Sequence, residues 1–185
     1  MDVKILVQPT PNPNARKYIV NMLVKAEGKA SFLSRDEALD LPLVRDLFDI
    51  DGVEQIHLFD NFITVTKFEA AAPWNELEPQ VRSIIETRMA VHDPKAKMEN
   101  KAPVKDRSAA SPEIQKIEEI LDRTIRPGLQ GDGGDLEVLS FDAKVLNIRY
   151  QGACGTCPSS IAGTLQAIES ILQNEFDPEL RVIAV

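Results

Sequence analysis

The sequence predicts an α+β protein of two small domains, each an α/β-sandwich-like layer of helices on one sheet, joined by a flexible linker. A chain of 185 residues is long for one compact domain and comfortable for two. Residues 92–111 are small, charged and proline-containing, without apolar periodicity, which is typical of a linker. Strand-like and helix-like periodicities alternate on both sides of it. The predicted domains are therefore residues 1–91 and 112–185.

The composition is that of an ordinary globular protein, with 43% hydrophobic and 27% charged residues. The net charge of −8 disfavours a nucleic-acid partner, because phosphates select for Lys and Arg. No apolar run approaches the ~18–20 residues of a membrane span. Residues 1–7 have the pattern of a strand rather than of a targeting segment. These features predict a cytoplasmic protein, or one of an organellar matrix if a leader was removed.

In the first domain, strands are predicted on both sides of a proline-rich loop, and a capping-box pattern at Ser34 and Glu37 predicts a short helix. The Asp60-Asn61 pair predicts a hairpin turn. Apolar residues at helical spacing predict an amphipathic helix before the linker. The predicted elements are strands Lys4–Val7 and Arg16–Val20, helix Leu43–Phe48, strands His57–Phe59 and Phe62–Phe68, and helix Asn75–Met89.

In the second domain, Ser111 and Pro112 predict a helix start, and Pro127-Gly128 is expected to end that helix. A hairpin, a second helix and a last strand follow. The predicted order is helix, strand, strand, cysteine loop, helix, strand, with strands Leu136–Phe141, Val145–Tyr150 and Arg181–Val185 and the second helix running to Glu175.

The chain has two cysteines, and both lie in the loop segment Cys154-Gly155-Thr156-Cys157. A structural disulfide across so short a ring would add little stability. The pair precedes a predicted helix, whose free N–H groups favour thiolate, the form that binds metals or attacks disulfides. Gly152 and Gly155 leave backbone amides accessible to the sulfur atoms. This spacing predicts a metal or iron–sulfur site, with thiol–disulfide chemistry and a chance surface pair as the alternatives.

The ligand count points to a site shared between two chains. Zinc sites and iron–sulfur clusters usually take four protein ligands, whereas the second domain offers two cysteines and no histidine. Two Cys pairs that meet across a two-fold axis would supply four thiolates. Cys154 and Cys157 are thus the predicted ligands of a site in a homodimer.

The second domain resembles the Nfu domain, also called the NifU C-terminal domain, of iron–sulfur scaffold and carrier proteins. The matching residues are Arg126-Pro127, Asp132-Gly133-Gly134-Asp135, Gly152, Cys154 and Cys157-Pro158-Ser159-Ser160. The first domain resembles the domain that precedes it in mitochondrial-type and many bacterial Nfu proteins, through Thr10-Pro11-Asn12-Pro13-Asn14, Gly52-Val53, the run from Phe62 to Lys67, and Trp74.

The resemblance implies a non-enzymatic carrier that holds a 4Fe–4S cluster (or a 2Fe–2S cluster) between two protomers and passes it to recipient apoproteins. It implies upstream cluster donors as further partners, and partner recognition by the first domain. Two rivals are retained. A thiol–disulfide oxidoreductase would need a thioredoxin-like βαβ unit, which the predicted order does not provide. A structural zinc ion bridging a dimer would use the same four thiolates.

Other polar residues have structural interpretations. The segment from Asp132 to Asp135 is expected to be a tight turn whose glycines have positive φ, because carboxylates would oppose an anionic cluster. His57 and His92 are expected to be packed or solvated. Trp74 is expected to staple the helix that follows it to the sheet.

Overall fold

A computed structural model of the protein describes residues 2–38, 40–96, 111–154 and 158–185, with the backbone alone described for 158–162. The chain divides into two compact units, Met1–Ala102 and Pro103–Val185. Each unit combines helices with one sheet, so the predicted α+β class is confirmed. No helix among the described residues is long and apolar enough to cross a membrane.

The first unit contains a five-stranded antiparallel sheet in the order β1-β2-β5-β4-β3. Two helices and a 3₁₀ turn accompany the sheet. The elements are β1 (Ile5–Pro9), β2 (Ala15–Val20), β3 (Lys29–Phe32), the 3₁₀ turn (Arg35–Ala38), α1 (Pro42–Phe48), β4 (Val53–Phe59), β5 (Phe62–Lys67) and α2 (Trp74–Met89).

An apolar core lies between this sheet and its helices. From α2 it takes Leu77, Val81 and Ile85, which recur at the spacing of one helix face. From the sheet it takes alternate residues such as Tyr18 and Ile63, which are paired across β2 and β5. The predicted helix before the linker and the hairpin at Asp60-Asn61 are confirmed, and Asp60 has a φ of 45° in that turn.

Several boundaries in the first unit differ from the sequence prediction. Strand β3 was not predicted, and β4 begins at Val53, before the predicted His57. The capping-box pattern gives a 3₁₀ turn, in which the Glu37 carboxylate accepts a hydrogen bond from the Leu33 amide at 2.8 Å.

The described start of the predicted linker is bonded to the first unit. His92 Nε2 lies 2.7 Å from the Val24 carbonyl oxygen, and the Ala26 amide donates to the Pro94 carbonyl at 3.0 Å. Residues 97–110, where the flexible linker is predicted, lie outside the described residues.

The second unit contains a three-stranded sheet in the order β6-β7-β8. β6 and β7 are an antiparallel hairpin, whereas β8 pairs in parallel with β7. The elements are α3 (Pro112–Thr124), α4 (Arg126–Gly131), β6 (Gly134–Asp142), β7 (Val145–Gly152), α5 (Pro158–Glu175) and β8 (Arg181–Ala184).

The predicted helix end at Pro127-Gly128 is wrong. α3 ends at Thr124, and Pro127 lies in the first turn of a separate short helix, α4. Proline is accepted there because the first helical turn has no intrahelical partner for its amides. At the start of α3 the prediction is confirmed, since the Ser111 hydroxyl accepts a hydrogen bond from the Ile114 amide at 3.3 Å.

A second apolar core fills the space between the helices and the sheet of this unit. It is built from α3, both strands of the hairpin, α5 and β8, and includes Leu121, Leu136, Ile148, Ile168 and Val182. Each unit therefore has a core of its own, made of apolar side chains.

Candidate metal centre

The Cys-x-x-Cys segment connects β7 to α5. Gly152 ends the strand with a φ of +64°, which favours glycine, and Cys154 lies two residues later. α5 begins at Pro158, directly after Cys157. Residues 155–157 lie outside the described residues, so the structure places Cys154 and leaves the predicted pairing with Cys157 as a prediction.

Cys154 is on a turn, but its side chain belongs to the core. Only 7% of its surface is exposed, and it lies in the apolar cluster of the second unit. Cys154 therefore packs into the core of the second unit although it lies on a turn. This burial limits access of solvent to the sulfur atom.

Gly134 makes room for this thiol. A Cβ atom at Gly134 would lie 2.5 Å from Cys154 Sγ and 2.7 Å from the Gln151 carbonyl oxygen. Real Cβ atoms do not approach other atoms so closely, hence any larger residue would displace the cysteine or the strand. Gly134 pairs with Gly152 in the hairpin, so two residues without side chains face each other at this end of the sheet.

The turn predicted for Asp132–Asp135 is present in part. Gly133 has a φ of +81°, as expected for a turn glycine, and its carbonyl accepts a hydrogen bond from the Ala153 amide at 3.2 Å. Gly134 instead belongs to β6 and has no positive φ. The bond between Gly133 and Ala153 holds the turn against the residue that precedes Cys154.

Asp135 is a buried ion-pair partner. Its carboxylate accepts a hydrogen bond from the Leu136 amide at 2.6 Å and lies 3.3 Å from Arg126 Nε. Gln130 Nε2 donates to the other oxygen at 3.3 Å. Asp135 thus joins α4 to the start of β6 instead of facing the cysteine as an open charge.

Arg126 is the centre of this charge cluster. Its side chain is 5% exposed and forms ion pairs with Glu118 at 2.6 Å, with Asp122 and with Asp135. Burial alone would lower the pKa of Arg126, but the negative charges of Glu118, Asp135 and Asp122 outweigh it and raise that pKa. These ion pairs of Arg126 hold α3 and α4 against β6, the strand that contains Gly134.

Sequence reasoning missed this cluster, although part of its signal was visible. Glu118, Asp122 and Arg126 follow one another at four-residue spacing, which places them on one face of a helix. Asp135 gave no such local signal, because it reaches Arg126 only through the fold.

The remaining candidates have structural roles in the first unit. His57 is buried in β4 with its Nδ1 2.7 Å from the Ser31 hydroxyl, so the packed interpretation is confirmed. The Trp74 indole donates to the Pro13 carbonyl at 3.0 Å, which ties α2 to the proline-rich loop. Among the described residues, no three His, Cys, Asp or Glu side chains form a group that could hold a metal ion.

Comparisons with known proteins cover both units. A family model described as "Scaffold protein Nfu/NifU N terminal" matches residues 5–92, and one described as "NifU-like domain" matches residues 117–183. The human protein named "NFU1 iron-sulfur cluster scaffold homolog, mitochondrial" is 34% identical over 169 residues, which are 91% of this chain and 66% of the relative. "NifU-like protein 4, mitochondrial" of Arabidopsis thaliana is 33% identical over 190 residues, covering 95% of this chain and 67% of the relative.

The chain thus spans about two thirds of the length of these curated relatives. Among solved structures, the solution NMR structure of a NifU-like protein from Saccharomyces cerevisiae has a TM-score of 0.46 and 26% identity. That match covers 52% of this chain and 87% of the yeast chain.

Proposed function

Because this chain belongs to the Nfu family of iron–sulfur cluster scaffold proteins, we propose that it carries an iron–sulfur cluster to apoproteins. The cluster is cargo, held by Cys154 and Cys157 of two protomers as a 4Fe–4S group. The protein receives it from an upstream donor and releases it to a recipient. The chain performs no catalytic turnover of its own in this proposal, and the first unit recognises partners.

The observation that carries the proposal is the fit between Cys154 and Gly134. The strand has no side chain where the Cys154 sulfur atom lies, and that sulfur belongs to the apolar core of the second unit. Thiolates are soft ligands of the kind that bind iron–sulfur clusters and zinc. The start of α5 directly after Cys157 adds N–H groups that stabilise negative charge on the bound cluster.

The alternatives have less support. A thiol–disulfide oxidoreductase of the thioredoxin type needs a βαβ unit around the cysteines, whereas here they follow an antiparallel hairpin. A zinc ion bridging two chains would use the same thiolates, so metal analysis has to separate it from a cluster. The cytoplasmic location predicted from the sequence stays a prediction, and the names of the relatives place those proteins in mitochondria.

Cluster binding and dimerisation are expected to be one event. Each chain supplies two cysteines and a cluster of this kind takes four thiolates, hence a loaded protein should be a dimer and an apo-protein should not need to be. Anaerobic reconstitution with iron and sulfide, followed by metal and sulfide analysis and native mass measurement, tests this. Cys154→Ser and Cys157→Ser should each abolish both the cluster and the cluster-dependent dimer, because serine oxygen is a poor ligand for these irons.

Thr156→Ser is the matched control, since it alters the same segment and keeps both thiols. Cys154→Ala should accompany Cys154→Ser, because a serine hydroxyl in the apolar cluster costs stability unless it is hydrogen-bonded. A stable cluster on a monomeric chain would contradict the bridged site. Zinc without sulfide, at one ion per two chains, would favour the zinc-bridged dimer. Transfer is checked by mixing loaded protein with an apo-ferredoxin and following cluster arrival on the acceptor.

A further inference from the structure

Strand β8 is an edge strand of the sheet in the second unit. Among the described strands it pairs with β7 alone. The Arg181 amide donates to the Lys144 carbonyl at 2.8 Å, and the Val185 amide donates to the Ile148 carbonyl at 3.0 Å. Because successive peptide groups of a strand point in opposite directions, the amide of Val182 points away from β7. On its outer side β8 therefore presents backbone groups with which another strand could pair.

Two side chains of α5 lie at this outer side. The Val182 amide donates a hydrogen bond to a carboxylate oxygen of Glu169 at 2.9 Å. One helical turn later, Gln173 Nε2 donates to the carbonyl of Leu180, the residue before β8, at 2.9 Å. The neighbouring residue Ile168 packs in the same apolar core as Val182, which keeps this side of α5 beside the strand. Glu169 and Gln173 therefore cover backbone groups at the outer edge of β8.

The side chains of β8 suit it to pairing with a second copy of itself. Ile183 is 46% exposed and Val185 is 66% exposed, and both lie on the face of the sheet opposite to the core residue Val182. In an antiparallel pair of two β8 strands, a two-fold axis at Ile183 would bring Val182 of one copy opposite Ala184 of the other. Ile183 would then meet its own copy, and Arg181 would face Val185 instead of another arginine. Apolar contact without opposed like charges favours such pairing.

The Glu169 carboxylate lies where this pairing would need a carbonyl. In the self-paired arrangement, the Val182 amide of one copy would donate to the Ala184 carbonyl of the other. In the structure, Glu169 already accepts that hydrogen bond. A carboxylate and a carbonyl oxygen are both acceptors, so the incoming strand would have to displace Glu169 before it could pair. Charged side chains at sheet edges discourage strand addition in the same way.

We propose that Glu169, assisted by Gln173, blocks the edge of β8 against strand addition by a second copy of this chain. The block needs neither cysteine nor cluster, so it stands apart from the proposed function. It has a consequence for that function. β8 extends along β7 as far as Ile148, whereas Cys154 follows the end of β7 at Gly152. In an antiparallel β8 pair, the two Cys154 residues would therefore lie at opposite ends of the joined sheet, where they could not share a site.

The test measures self-association of the full-length apo-protein in the presence of a chelator and a reductant. Glu169→Leu removes the acceptor and keeps a side chain of similar size. In sedimentation velocity, its mass should rise with concentration towards twice that of the unaltered chain. Glu169→Gln retains an acceptor oxygen, so it should sediment like the unaltered chain. Ala167→Leu is the matched control, because it adds a leucine at an exposed position on roughly the opposite side of α5.

Two further measurements identify the edge. Ile183→Lys in the Glu169→Leu chain should restore the mass of the unaltered chain, because the two lysines would meet at the two-fold axis. Hydrogen exchange of the Val182 amide should be faster in dilute Glu169→Leu than in the unaltered chain, and it should slow as the concentration rises and a second strand covers the amide. If Glu169 served only to anchor β8, exchange would be faster at every concentration.

Glu169→Ala gives a second variant without the acceptor, and alanine is the strongest helix former, so α5 should be preserved. Circular dichroism shows which variants are folded. If folded Glu169→Leu and Glu169→Ala both kept the mass of the unaltered chain, the proposal would be overturned. A dimer that survives Ile183→Lys would overturn it as well, since the contact would then lie elsewhere. Because every sample is free of metal, failure of the proposed cluster binding would leave these results unchanged.

Discussion

Gly134 and Cys154 occupy one face of the second sheet, where the missing side chain of the glycine accommodates the thiol of the cysteine. This contact joins the beginning of β6 to the residues that follow β7. The position of the Cys154 sulfur atom thus depends on Gly134, a residue without a side chain.

Gly134→Ala should damage the site more than its small size suggests. The added Cβ would meet Cys154 Sγ at 2.5 Å and the Gln151 carbonyl oxygen at 2.7 Å, and the latter is backbone that cannot turn away. We expect a loss of about 1–3 kcal/mol in unfolding free energy, as in other overpacked sites, and weaker retention of the cluster. Urea unfolding and iron content after reconstitution measure the two effects.

Gly128→Ala is the control, because a Cβ there meets no atom within 4 Å and its φ is not positive. It should leave stability unchanged or raise it slightly. Equal behaviour of the two alanine variants would mean that Gly134 has no special relation to Cys154.

The stability of the folded protein at alkaline pH should depend on the ionisation of the two tyrosines. Burial and the charge of Cys154 raise the pKa of Tyr150 to about 12 from 10.0, and burial, followed by the charge of Glu78, also raises the pKa of Tyr18. Both groups hold protons more tightly when folded, so their contribution is complete below about pH 10 and is lost as pH rises towards 12. Tyrosinate absorbance and circular dichroism should change together in that range. Tyrosinate forming near pH 10 with the fold intact would contradict this.

The residues of the site differ in how far a sequence reveals them. Cys154 and Cys157 are visible because their spacing is itself a metal-ligand pattern. Gly134 was assigned to a turn, since Gly-Gly beside Asp is the usual turn signal, whereas its actual role is a close approach to a distant residue.

At the scale of elements, the Arg126 cluster joins the helices of the second unit to β6. The guanidinium contacts Glu118 and Asp122 of α3 and Asp135 of β6. Buried ion pairs add little to stability compared with apolar substitutes, but removing one partner leaves the others uncompensated. The cluster therefore sets the register of α3 and α4 on the strand.

Arg126→Met should lower the unfolding free energy by about 3–5 kcal/mol, because the buried carboxylates of Glu118 and Asp135 would lose the guanidinium charge that offsets theirs. Urea unfolding at neutral pH measures this loss.

Arg123→Met is the matched control. Arg123 is 65% exposed and pairs with the surface residue Glu175, and such pairs contribute about 0–1 kcal/mol. If the two methionine variants had similar stability, the proposed role of Arg126 in joining the elements would be wrong.

Element prediction succeeded where periodicity extended over several turns or strand residues. The helices Trp74–Met89 and Pro112–Thr124 and both hairpins were identified from apolar spacing and turn residues. It failed for β3, which is four residues long, and for α4, whose proline and two glycines are residues that usually indicate the end of a helix. Tertiary contacts decide such short elements, and a local pattern cannot report them.

At the scale of the whole molecule, the two units have separate apolar cores. Neither core depends on a metal for its composition, unlike a zinc finger, in which the metal replaces the core. Residues 97–110 of the predicted linker lie outside the described residues, so independent movement of the units remains a prediction to be checked by NMR relaxation.

We expect the apo-protein to be folded and to melt cooperatively in the presence of a chelator. Circular dichroism during thermal melting, with and without the chelator, measures this, and cluster-loaded protein should melt at a higher temperature because a ligand bound to the native state stabilises it. Cys157→Ser is the control, since it should show the same melt under both conditions. Loss of the cooperative transition in chelator would mean that the metal completes the core.

The parallel pairing of β7 with β8 has a consequence for biosynthesis. Residues Val145–Ile148 bond to Arg181–Ala184, which leave the ribosome only after the whole of α5. Until then β7 has an open edge, and the core that surrounds Cys154 lacks Val182. In a nascent chain, the apolar core around Cys154 is therefore incomplete until β8 has been translated.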